Sequence, residues 1–269
     1  MHIVVCIKQV PDPEVAPGVF HLDALEKKMV IPGRSPVINP FDEQAIEAAL
    51  RIRESSADPE QIMITAITMA DTSPAKTIKH VLAMGADEGI VLTDSAFADS
   101  DSYSTAYALA SAIKSLGEVD LIFTGRQAAD SDSGVVGLGV AELLGFPAVT
   151  FAKEINMVGE EIVVERVVGN GQETIVSPLP VVVTITHEFG SVRHPNLRET
   201  MKASKKPVRN LTPESIGIDP SCIGAAGARS VVVRLYKPAQ RTDCEWLSGD
   251  DTTAVAGVLA AKLLEQKLL

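Results

Sequence analysis

The stretch that decides the fold reads VDLIFTGRQAADSDSGVVGLGVAELL and covers residues 119–144. It opens with an apolar run, residues 119–124, that is typical of a buried strand, and it closes with a pattern that predicts a helix from about Ser133 to Leu144. The loop between them, residues 125–137, contains three glycines that let the backbone approach a ligand closely. Such a strand, loop and helix can hold phosphate oxygens on the N–H groups of the helix start.

The alternation of strand and helix continues towards the N-terminus of this stretch. Apolar runs and helical spacing predict strands over residues 2–8, 62–68 and 89–92, and helices over 39–54, 74–84 and about 101–116. Aromatic residues make up only 4% of the chain, so the core is built from aliphatic side chains, which suits strands covered on both faces. We therefore predict an α/β fold with a doubly wound, mostly parallel sheet, in which ligands bind at the carboxyl ends of the strands.

The pattern changes after residue 160. Residues 161–177 predict a β-hairpin around Gly169-Asn170-Gly171, and a further strand is predicted over residues 179–186. Residues 187–250 are rich in proline and look irregular, which suggests an extended arm that needs a partner surface. The last helix, about Asp251 to Leu268, has a broad apolar stripe that packs either on this chain's own core or on another subunit.

Charge and composition bear on the class of function. The net charge is −11 with a pI of about 4.9, which does not favour a nucleic-acid partner. The three cysteines, Cys6, Cys222 and Cys244, have no metal-binding spacing and indicate a reducing compartment. The N-terminus lacks a signal peptide, and no apolar run approaches the roughly 20 residues needed to cross a bilayer. We expect a cytoplasmic protein without a transmembrane segment.

The side chains of the loop 125–137 support a nucleotide site only in part. Ser131 and Ser133 can donate hydroxyl hydrogen bonds to phosphates. Asp130 and Asp132 are unsuited to phosphate, but they could accept from ribose hydroxyls or cap the following helix. The loop has no P-loop signature, and the scattered histidines form no catalytic or metal-binding group. A capped turn without a ligand is therefore an alternative interpretation of these residues.

Several segments together resemble the beta subunit of electron-transfer flavoproteins. They are Cys6–Pro11, Asn39–Asp42, Leu82–Asp87, the loop 125–137 and Met201–Pro207. The string Gly-Arg-Gln-Ala-x-Asp at the start of the loop is the most specific of them. The resemblance implies a Rossmann-like adenine-nucleotide-binding fold and a heterodimer with an alpha subunit that carries FAD and is clasped by the C-terminal arm. We accordingly divide the chain into a nucleotide-binding domain, residues 1–186, and a partner-contacting part, residues 187–269.

The family divides according to the nucleotide that its beta subunit holds. In simple carriers this nucleotide is a structural AMP, and in electron-bifurcating relatives it is a second FAD. Residues 97–107, FADSDSYSTAY, resemble the Ser/Thr-rich segment of the bifurcating type, although these hydroxyls could also cap a helix. We favour FAD, with AMP as the alternative and a stand-alone nucleotide-sensing module as a third. The bifurcating interpretation implies hydride transfer from NADH and a low-potential acceptor such as ferredoxin or flavodoxin, besides an acyl-CoA-type dehydrogenase partner.

The resemblance also assigns positions that contact the cofactor and the partner. Nucleotide-contacting positions are Cys6, Asn39, Pro40, Phe41, Asp42 and Met69, and the phosphates and ribose are cradled by Arg126, Gln127, Ala128, Asp130, Ser131, Asp132, Ser133, Gly134, Val135, Val136 and Gly137. Ser102 and Thr105 are assigned to the flavin ring, and Asn39 is also expected to cap the helix after it. Leu197 falls near a hydrophobic anchor for dehydrogenases, but residues 187–195 depart from the family's Asn-Glu-Pro-Arg-Tyr string, which leaves the partner open.

Overall fold

The computed structural model describes residues 1–23, 27–70, 75–237 and 244–269. The strands in these residues are β1 (His2–Cys6), β2 (Gln9–Val10), β3 (His21–Asp23), β4 (Lys28–Val30), β5 (Val37–Ile38), β6 (Met63–Met69), β7 (Glu88–Leu92), β8 (Leu121–Gly125), β9 (Ala148–Val158), β10 (Glu161–Val168), β11 (Gly171–Pro178), β12 (Val181–Ile185) and β13 (Val208–Leu211). The helices are α1 (Pro40–Ser55), α2 (Ala75–Met84), α3 (Ser102–Ser115), α4 (Val136–Leu144), α5 (Leu197–Ala203), α6 (Gly224–Gly227) and α7 (Thr252–Glu265).

The described residues form two compact units, Met1–Arg234 and Leu235–Leu269. The first contains a nine-stranded sheet in the order β11-β10-β9-β12-β8-β1-β6-β7-β13. All pairs from β9 to β13 along this order are parallel, and β9, β10 and β11 form an antiparallel extension at one edge. The predicted doubly wound, mostly parallel α/β fold is confirmed.

Strand order reverses at β1, which pairs with β6 on one side and β8 on the other. The chain leaves β1 through α1 and α2 to build β6 and β7, and α3 then brings it back across β1 to β8. A crevice forms where two such connections leave neighbouring strands in opposite directions. The carboxyl ends of β1 and β8 are therefore the expected ligand edge, and the loop 125–137 begins there.

Side chains alternate between the two faces of the sheet, because successive residues of a strand point to opposite sides. On β1, Ile3 and Val5 join the cluster that contains residues of α1 and α2. Val4 and Cys6 join the second cluster, with residues of α3 and α4. Helices therefore cover both faces, which explains why these doubly buried strands are mainly aliphatic.

The helix after the loop begins later than the sequence predicts. It starts at Val136 and not at Ser133. Asp132 and Gly134 have φ angles of 49° and 65°, in the left-handed region, which a right-handed helix cannot include. The chain therefore makes a further turn before the helix, and the three residues from 133 to 135 belong to the loop.

The second half of the sheet was predicted only in part. The hairpin is confirmed, since β10 and β11 pair with Val168 opposite Gly171. The strand β9 was missed, because charged residues interrupt its apolar pattern and a bulge interrupts its pairing. Phe151, within this strand, has a φ angle of 62°. One 11-residue strand thus joins the parallel sheet to the antiparallel edge.

The prediction that residues 187–250 are irregular is wrong for three elements. They are α5, β13 and α6, and β13 adds a parallel strand beside β7. All three are too short for a periodic pattern, and tertiary contacts hold them. The Lys206 ammonium donates to the carbonyls of Leu82 and Ala86 at the end of α2, at 3.0 and 2.6 Å. The predicted helix start Pro74 and the arm residues 238–243 lie outside the described residues.

The second compact unit contains α7, close to the predicted bounds. The Asp251 carboxylate accepts from the Ala254 N–H and so caps the helix. No residue of α7 is buried. The division at residue 186 into a nucleotide-binding and a partner-contacting part concerns binding and stays a prediction. Among the described residues, no helix is both long and apolar enough to span a membrane.

Candidate nucleotide site

Asn39 ties the start of α1 to the loop 125–137. It occupies the N-cap position but makes no side-chain cap, so the expected capping role is wrong. Its side-chain amide instead donates to the Gln127 carbonyl at 2.8 Å and accepts from the Ala129 N–H at 3.1 Å. The backbone N–H of Asn39 donates to the Lys8 carbonyl. The buried Asn39 side chain therefore fixes the position of the loop relative to the start of α1.

Asp42, in the first turn of α1, joins the ends of the two strands at the switch point. Its carboxylate accepts from the Lys8 N–H at 2.7 Å, beyond β1, and from the Gly125 N–H at 3.0 Å, at the end of β8. Burial raises the pKa of Asp42 to about 7, against the lowering effect of hydrogen bonds from Asn39, Lys8 and Gly125. A Cβ on Gly125 would overlap Asp42 and Phe41, so only glycine fits there.

The loop itself is folded by its own hydrogen bonds. The N–H groups of Ser131 and Asp132 both donate to the Ala128 carbonyl, and the Gln127 amide donates to the Asp132 carboxylate at 2.7 Å. Asp130 accepts from the Lys8 ammonium at 2.7 Å. Neither aspartate caps α4, so the predicted capping alternative is wrong. Their side chains contact the loop and β1 end and are not directed to the helix start.

The start of α4 carries the features that an anion site needs. Its N-cap residue Val135 makes no side-chain cap, so the first N–H groups are not satisfied by their own N-cap. A Cβ on Gly137 would lie 2.5 Å from the Thr124 hydroxyl and 3.2 Å from Thr184, so glycine brings α4 down onto β8 and β12. Ser131 and Ser133, in the loop before the helix, are exposed. Backbone N–H groups, hydroxyls and the helix dipole all favour a phosphate here.

The start of α3 borders the same loop. The Ser102 hydroxyl lies 3.3 Å from the Ser133 hydroxyl, across 31 residues of sequence. Thr105, one turn further, is half-buried and its N–H donates to the Asp101 carbonyl. Ser102 therefore contacts the later part of the loop, whereas Asn39 contacts its earlier part at Gln127 and Ala129. The two ends of the site are the Asn39–Asp42 end and the Ser102–Thr105 end.

The other predicted positions occupy different depths around the crevice. Cys6 is buried below it, and burial together with Asp42 raises the pKa of its thiol to about 12, so it acts as an apolar residue. Met69 is half-buried against the cluster on the α3 side, and Pro40 is exposed. Phe41 meets His187 edge-on, with ring centroids 6.2 Å apart. These contacts bring the predicted residues together; the structure does not test their roles in binding.

Three residues of the site were missed in the sequence. Lys8 contributes its N–H to Asp42 and its ammonium to Asp130. Phe151 lies under the Arg126 guanidinium, 4.8 Å from its ring centroid. Asp101 caps α3 and contacts a distant segment. A polar residue directly after a buried strand could have indicated Lys8, but no local pattern indicates Phe151, which comes from a strand 26 residues away.

Comparisons with known proteins identify the family. Residues 30–216 match the model of the electron transfer flavoprotein domain. The electron transfer flavoprotein subunit beta of Thermoanaerobacterium thermosaccharolyticum is 36% identical over 96% of both chains. The chain belongs to the electron-transfer flavoprotein beta-subunit family. Two further relatives match over the full length of both chains: the subunit beta of Megasphaera elsdenii at 32% identity and the caffeyl-CoA reductase-Etf complex subunit CarD of Acetobacterium woodii at 33%.

Membership of the electron-transfer flavoprotein family confirms the resemblance and places the chain in electron transfer. The donors of the candidate site fit an anion such as a phosphate, since the N-cap residue of α4 leaves the helix start without its own side-chain cap. Asn39 and Asp42 fix the loop 125–137 and the end of β8 beside it.

The region around the predicted anchor Leu197 is a short helix with an apolar exposed edge. Leu197 and Met201, one turn apart on α5, are 77% and 65% exposed. The helix is short, but a capping box between Asn196 and Glu199 defines its start. An exposed pair of large apolar side chains is a feature of docking surfaces. Met201 is therefore a second exposed apolar residue beside the predicted anchor Leu197.

The segment before α5 is clamped onto α1 by charged side chains. Arg193 donates to the buried Glu47 at 2.8 Å and to Glu54, and Arg51 donates to the Ser191 carbonyl at 2.7 Å. Burial tends to raise the pKa of Glu47, but hydrogen bonds from Arg193 and Arg51 outweigh it and lower that pKa. The segment that departs from the family string is therefore held on α1 by an ion-pair network, four residues before α5 begins.

Proposed function

We propose that this chain is the beta subunit of an electron-bifurcating electron-transfer flavoprotein and that it holds FAD at the crevice between β1 and β8. The observation that supports this most is the contact between the loop 125–137 and the start of α3, where the Ser102 hydroxyl lies 3.3 Å from that of Ser133. It brings a polar, serine-rich helix start to the later part of the loop, while Asn39 bonds to the earlier part. AMP ends at its phosphate and needs no such neighbour, whereas FAD continues beyond it.

In this proposal each part of the site has a separate task. Asn39 and Asp42 hold the loop and the strand ends in place at the adenosine end. The start of α4, with Ser131 and Ser133, holds the phosphates. Ser102 and Thr105 orient the flavin end by hydrogen bonds. The bound FAD supplies hydride and one-electron chemistry, with NADH as donor, and the protein contributes orientation and electrostatics.

The proposed partner is an alpha subunit that covers the C-terminal part of the chain. Val231 and Val233 are 72% and 83% exposed, and Trp246 is 91% exposed. Val258, Leu259, Leu264 and Leu268 on and after α7 are also exposed. Apolar side chains of this size are covered in a stable protein, which supports a heterodimer in which a partner buries them. The cysteine spacing further supports the cytoplasm as the compartment of this complex.

We assign docking of an acyl-CoA-type dehydrogenase to the Leu197 and Met201 edge of α5. A relative that matches over its full length is named as part of a caffeyl-CoA reductase-Etf complex, which supports a partner of this class. Replacing Leu197 with Ala should weaken electron transfer to the dehydrogenase and leave the flavin content unchanged. Val176→Ala, at a 55% exposed position of β11, is the matched control. Equal transfer rates for Leu197→Ala and the wild type would refute this docking assignment.

The nucleotide content of the complex tests the main proposal. The chain is co-expressed with an electron-transfer flavoprotein alpha subunit, and the nucleotides of the purified complex are extracted and quantified. We expect two FAD for each heterodimer and flavin reduction by NADH, with ferredoxin or flavodoxin as the low-potential acceptor. One FAD and one AMP would instead identify a simple carrier, in which this chain is a redox-silent scaffold.

The alternative of a stand-alone nucleotide-sensing module requires the chain to be stable by itself. The exposed apolar side chains of residues 231–269 argue against it, because they would be open to solvent in a monomer. Sedimentation of the chain expressed alone decides between the two. A soluble, cooperatively folding monomer with the same affinity for nucleotide as the complex would favour the sensing module.

A further inference from the structure

A segment near the end of the first compact unit lies across the connection between β7 and α3. We name it the strap, residues 223–230. Ile223 is fully buried in the core cluster on the α3 side, so the strap is anchored at its beginning. Gly224 adopts a φ of 58°, and a Cβ there would overlap the Ala96 carbonyl. Only glycine lets the strap approach this connection closely.

Backbone groups of the strap donate to successive residues of the connection. The Gly224 N–H donates to the Ser100 hydroxyl at 3.2 Å, and the Ala225 N–H donates to the Ala98 carbonyl at 3.0 Å. Further along, the N–H groups of Arg229 and Ser230 both donate to Asp101, at 2.8 and 2.9 Å. The strap therefore follows the connection as far as the start of α3.

Asp101 is the residue where the strap and the helix meet. One carboxylate oxygen accepts from the Ser104 N–H at 2.9 Å and so caps α3. The other oxygen accepts from the two N–H groups of the strap and from the Ser230 hydroxyl at 3.0 Å. Partial burial raises the pKa of Asp101, but these hydrogen bonds outweigh it and lower the pKa to about 2. The carboxylate is therefore ionised throughout the working range of pH.

A second contact fixes the same junction. The Arg229 guanidinium lies over the Tyr103 ring, 3.4 Å from its centroid, on the first turn of α3. Tyr103 directly follows Ser102, whose hydroxyl meets Ser133 of the loop. The strap therefore contacts Tyr103, the residue next to the serine at the proposed flavin end.

We propose that Asp101 is a positioning residue for the flavin end of the site: it locks the strap to the first turn of α3 and thereby holds Ser102 against the loop. The inference rests on the proposed FAD. It assigns specificity for FAD over AMP to a residue that need not touch either nucleotide. Residues 231–234 follow the strap directly in the sequence, so the Asp101 carboxylate also fixes the point at which they begin.

The variant Asp101→Asn separates the two tasks of this side chain. Asparagine caps helices as well as aspartate, so α3 keeps its cap. Its amide nitrogen cannot accept hydrogen bonds, so the strap loses its three donations. Ser230→Ala removes one of the three without touching the cap. Asp219→Asn is the matched control, because the Asp219 carboxylate caps the single turn before the strap through the Ser221 N–H at 2.8 Å.

The experiment uses the co-expressed complex with the alpha subunit. Binding of FAD and of AMP at the beta site is measured by equilibrium dialysis, the bound flavin by visible circular dichroism, and the strap by the rate of trypsin cleavage after Arg229. For Asp101→Asn we expect FAD to bind about tenfold more weakly, the scale of lost charge-assisted hydrogen bonds. AMP binding should stay within about twofold of the wild type. For Asp101→Asn the circular dichroism of the bound flavin should change and trypsin cleavage after Arg229 should be faster. Ser230→Ala should show smaller changes in the same direction. Asp219→Asn should show no change.

The outcomes separate this inference from the proposed function. If Asp101→Asn weakened the binding of FAD and of AMP equally, Asp101 would have only a structural role and the inference would be overturned. Unchanged FAD binding with faster cleavage would overturn the link from strap to flavin, and unchanged cleavage would overturn Asp101 as the anchor of the strap. A wild-type complex that takes up AMP but no FAD would overturn the proposed function and the flavin part together, while the cleavage rates still decide the role of Asp101 in the strap.

Discussion

One aspartate lies at each end of the candidate nucleotide site. The pKa values of the two carboxyl groups are shifted in opposite directions. Asp42 is 5% exposed and joins the ends of β1 and β8, and burial raises its pKa to about 7. Asp101 stands near the surface and joins α3 to the strap, and its hydrogen bonds lower its pKa to about 2. Both accept backbone N–H groups, so the difference lies in burial and in the number of donors.

This difference separates a rigid end from an adjustable end. At the Asp42 end the hydrogen-bonded atoms belong to the core strands, so a change there affects the stability of the whole unit. At the Asp101 end they belong to a helix start and a surface strap, so a change there affects local geometry. The common adenosine part of AMP and FAD is assigned to the first end, and the part in which they differ is assigned to the second.

The largest effect is expected for Asp42→Ala. It leaves the N–H groups of Lys8 and Gly125 without their acceptor, and each such loss costs about 1–3 kcal/mol. We expect the free energy of unfolding to fall by about 2–6 kcal/mol in urea titrations. Asp42→Asn, which keeps one accepting oxygen, should lose less. A loss below about 1 kcal/mol for Asp42→Ala would show that the two ends are equally tolerant.

The pH dependence of stability should also distinguish the two ends. Because the pKa of Asp42 is raised from 3.8 to about 7, the native state binds a proton between these values that the unfolded state has released. The contribution of this group to stability should therefore fall as pH rises from about 4 to about 7, by at most about 4 kcal/mol. Urea titrations at several pH values measure it. Asp42→Asn should lack this component, and an identical pH profile for the variant and the wild type would contradict the assignment.

Gly137→Ala tests the close approach of α4 to the sheet. The added Cβ would lie 2.5 Å from the Thr124 hydroxyl, so we expect overpacking to cost about 1–3 kcal/mol and the helix start to move away from the phosphate position. Thermal unfolding and nucleotide retention measure the two effects. Gly257→Ala in α7 is the control, since nothing lies within 4 Å of its added Cβ. Wild-type stability and retention for Gly137→Ala would show that α4 can shift freely.

The smallest effect on stability is expected for Asp101→Ala. Losing the helix cap should cost about 1 kcal/mol, and Asp101→Asn, which keeps the cap, should lose less than Asp101→Ala. The lowered pKa predicts that the contribution of Asp101 is present above about pH 4 and is lost as pH falls towards 2. Exposure to solvent keeps this component small. Acid titration of both variants measures it, and a loss as large as that of Asp42→Ala would remove the contrast between the ends.

How far each feature could be predicted depends on the range of the contacts that create it. The main-sheet strands and the longer helices up to residue 144 follow from local periodicity, whereas the short strands β2 to β5 were not predicted. The family follows from strings such as Gly125–Asp130. The helix start at Val136 could not be read, because positive φ angles at Asp132 and Gly134 leave no trace in an apolar pattern. Elements as short as β13 could not be read either, because pairing with β7 creates them.

The sequence by itself determined the α/β alternation, the family and several of the residues beside the crevice, since each rests on a local pattern or on a string of neighbouring residues. Only the tertiary structure decided what those residues do there. Asn39 bonds to the loop 88 and 90 positions away in place of capping its helix, and Asp101 bonds to a strap 128 positions away. Partners that far apart are chosen by where the chain crosses the sheet, and no local pattern encodes that choice.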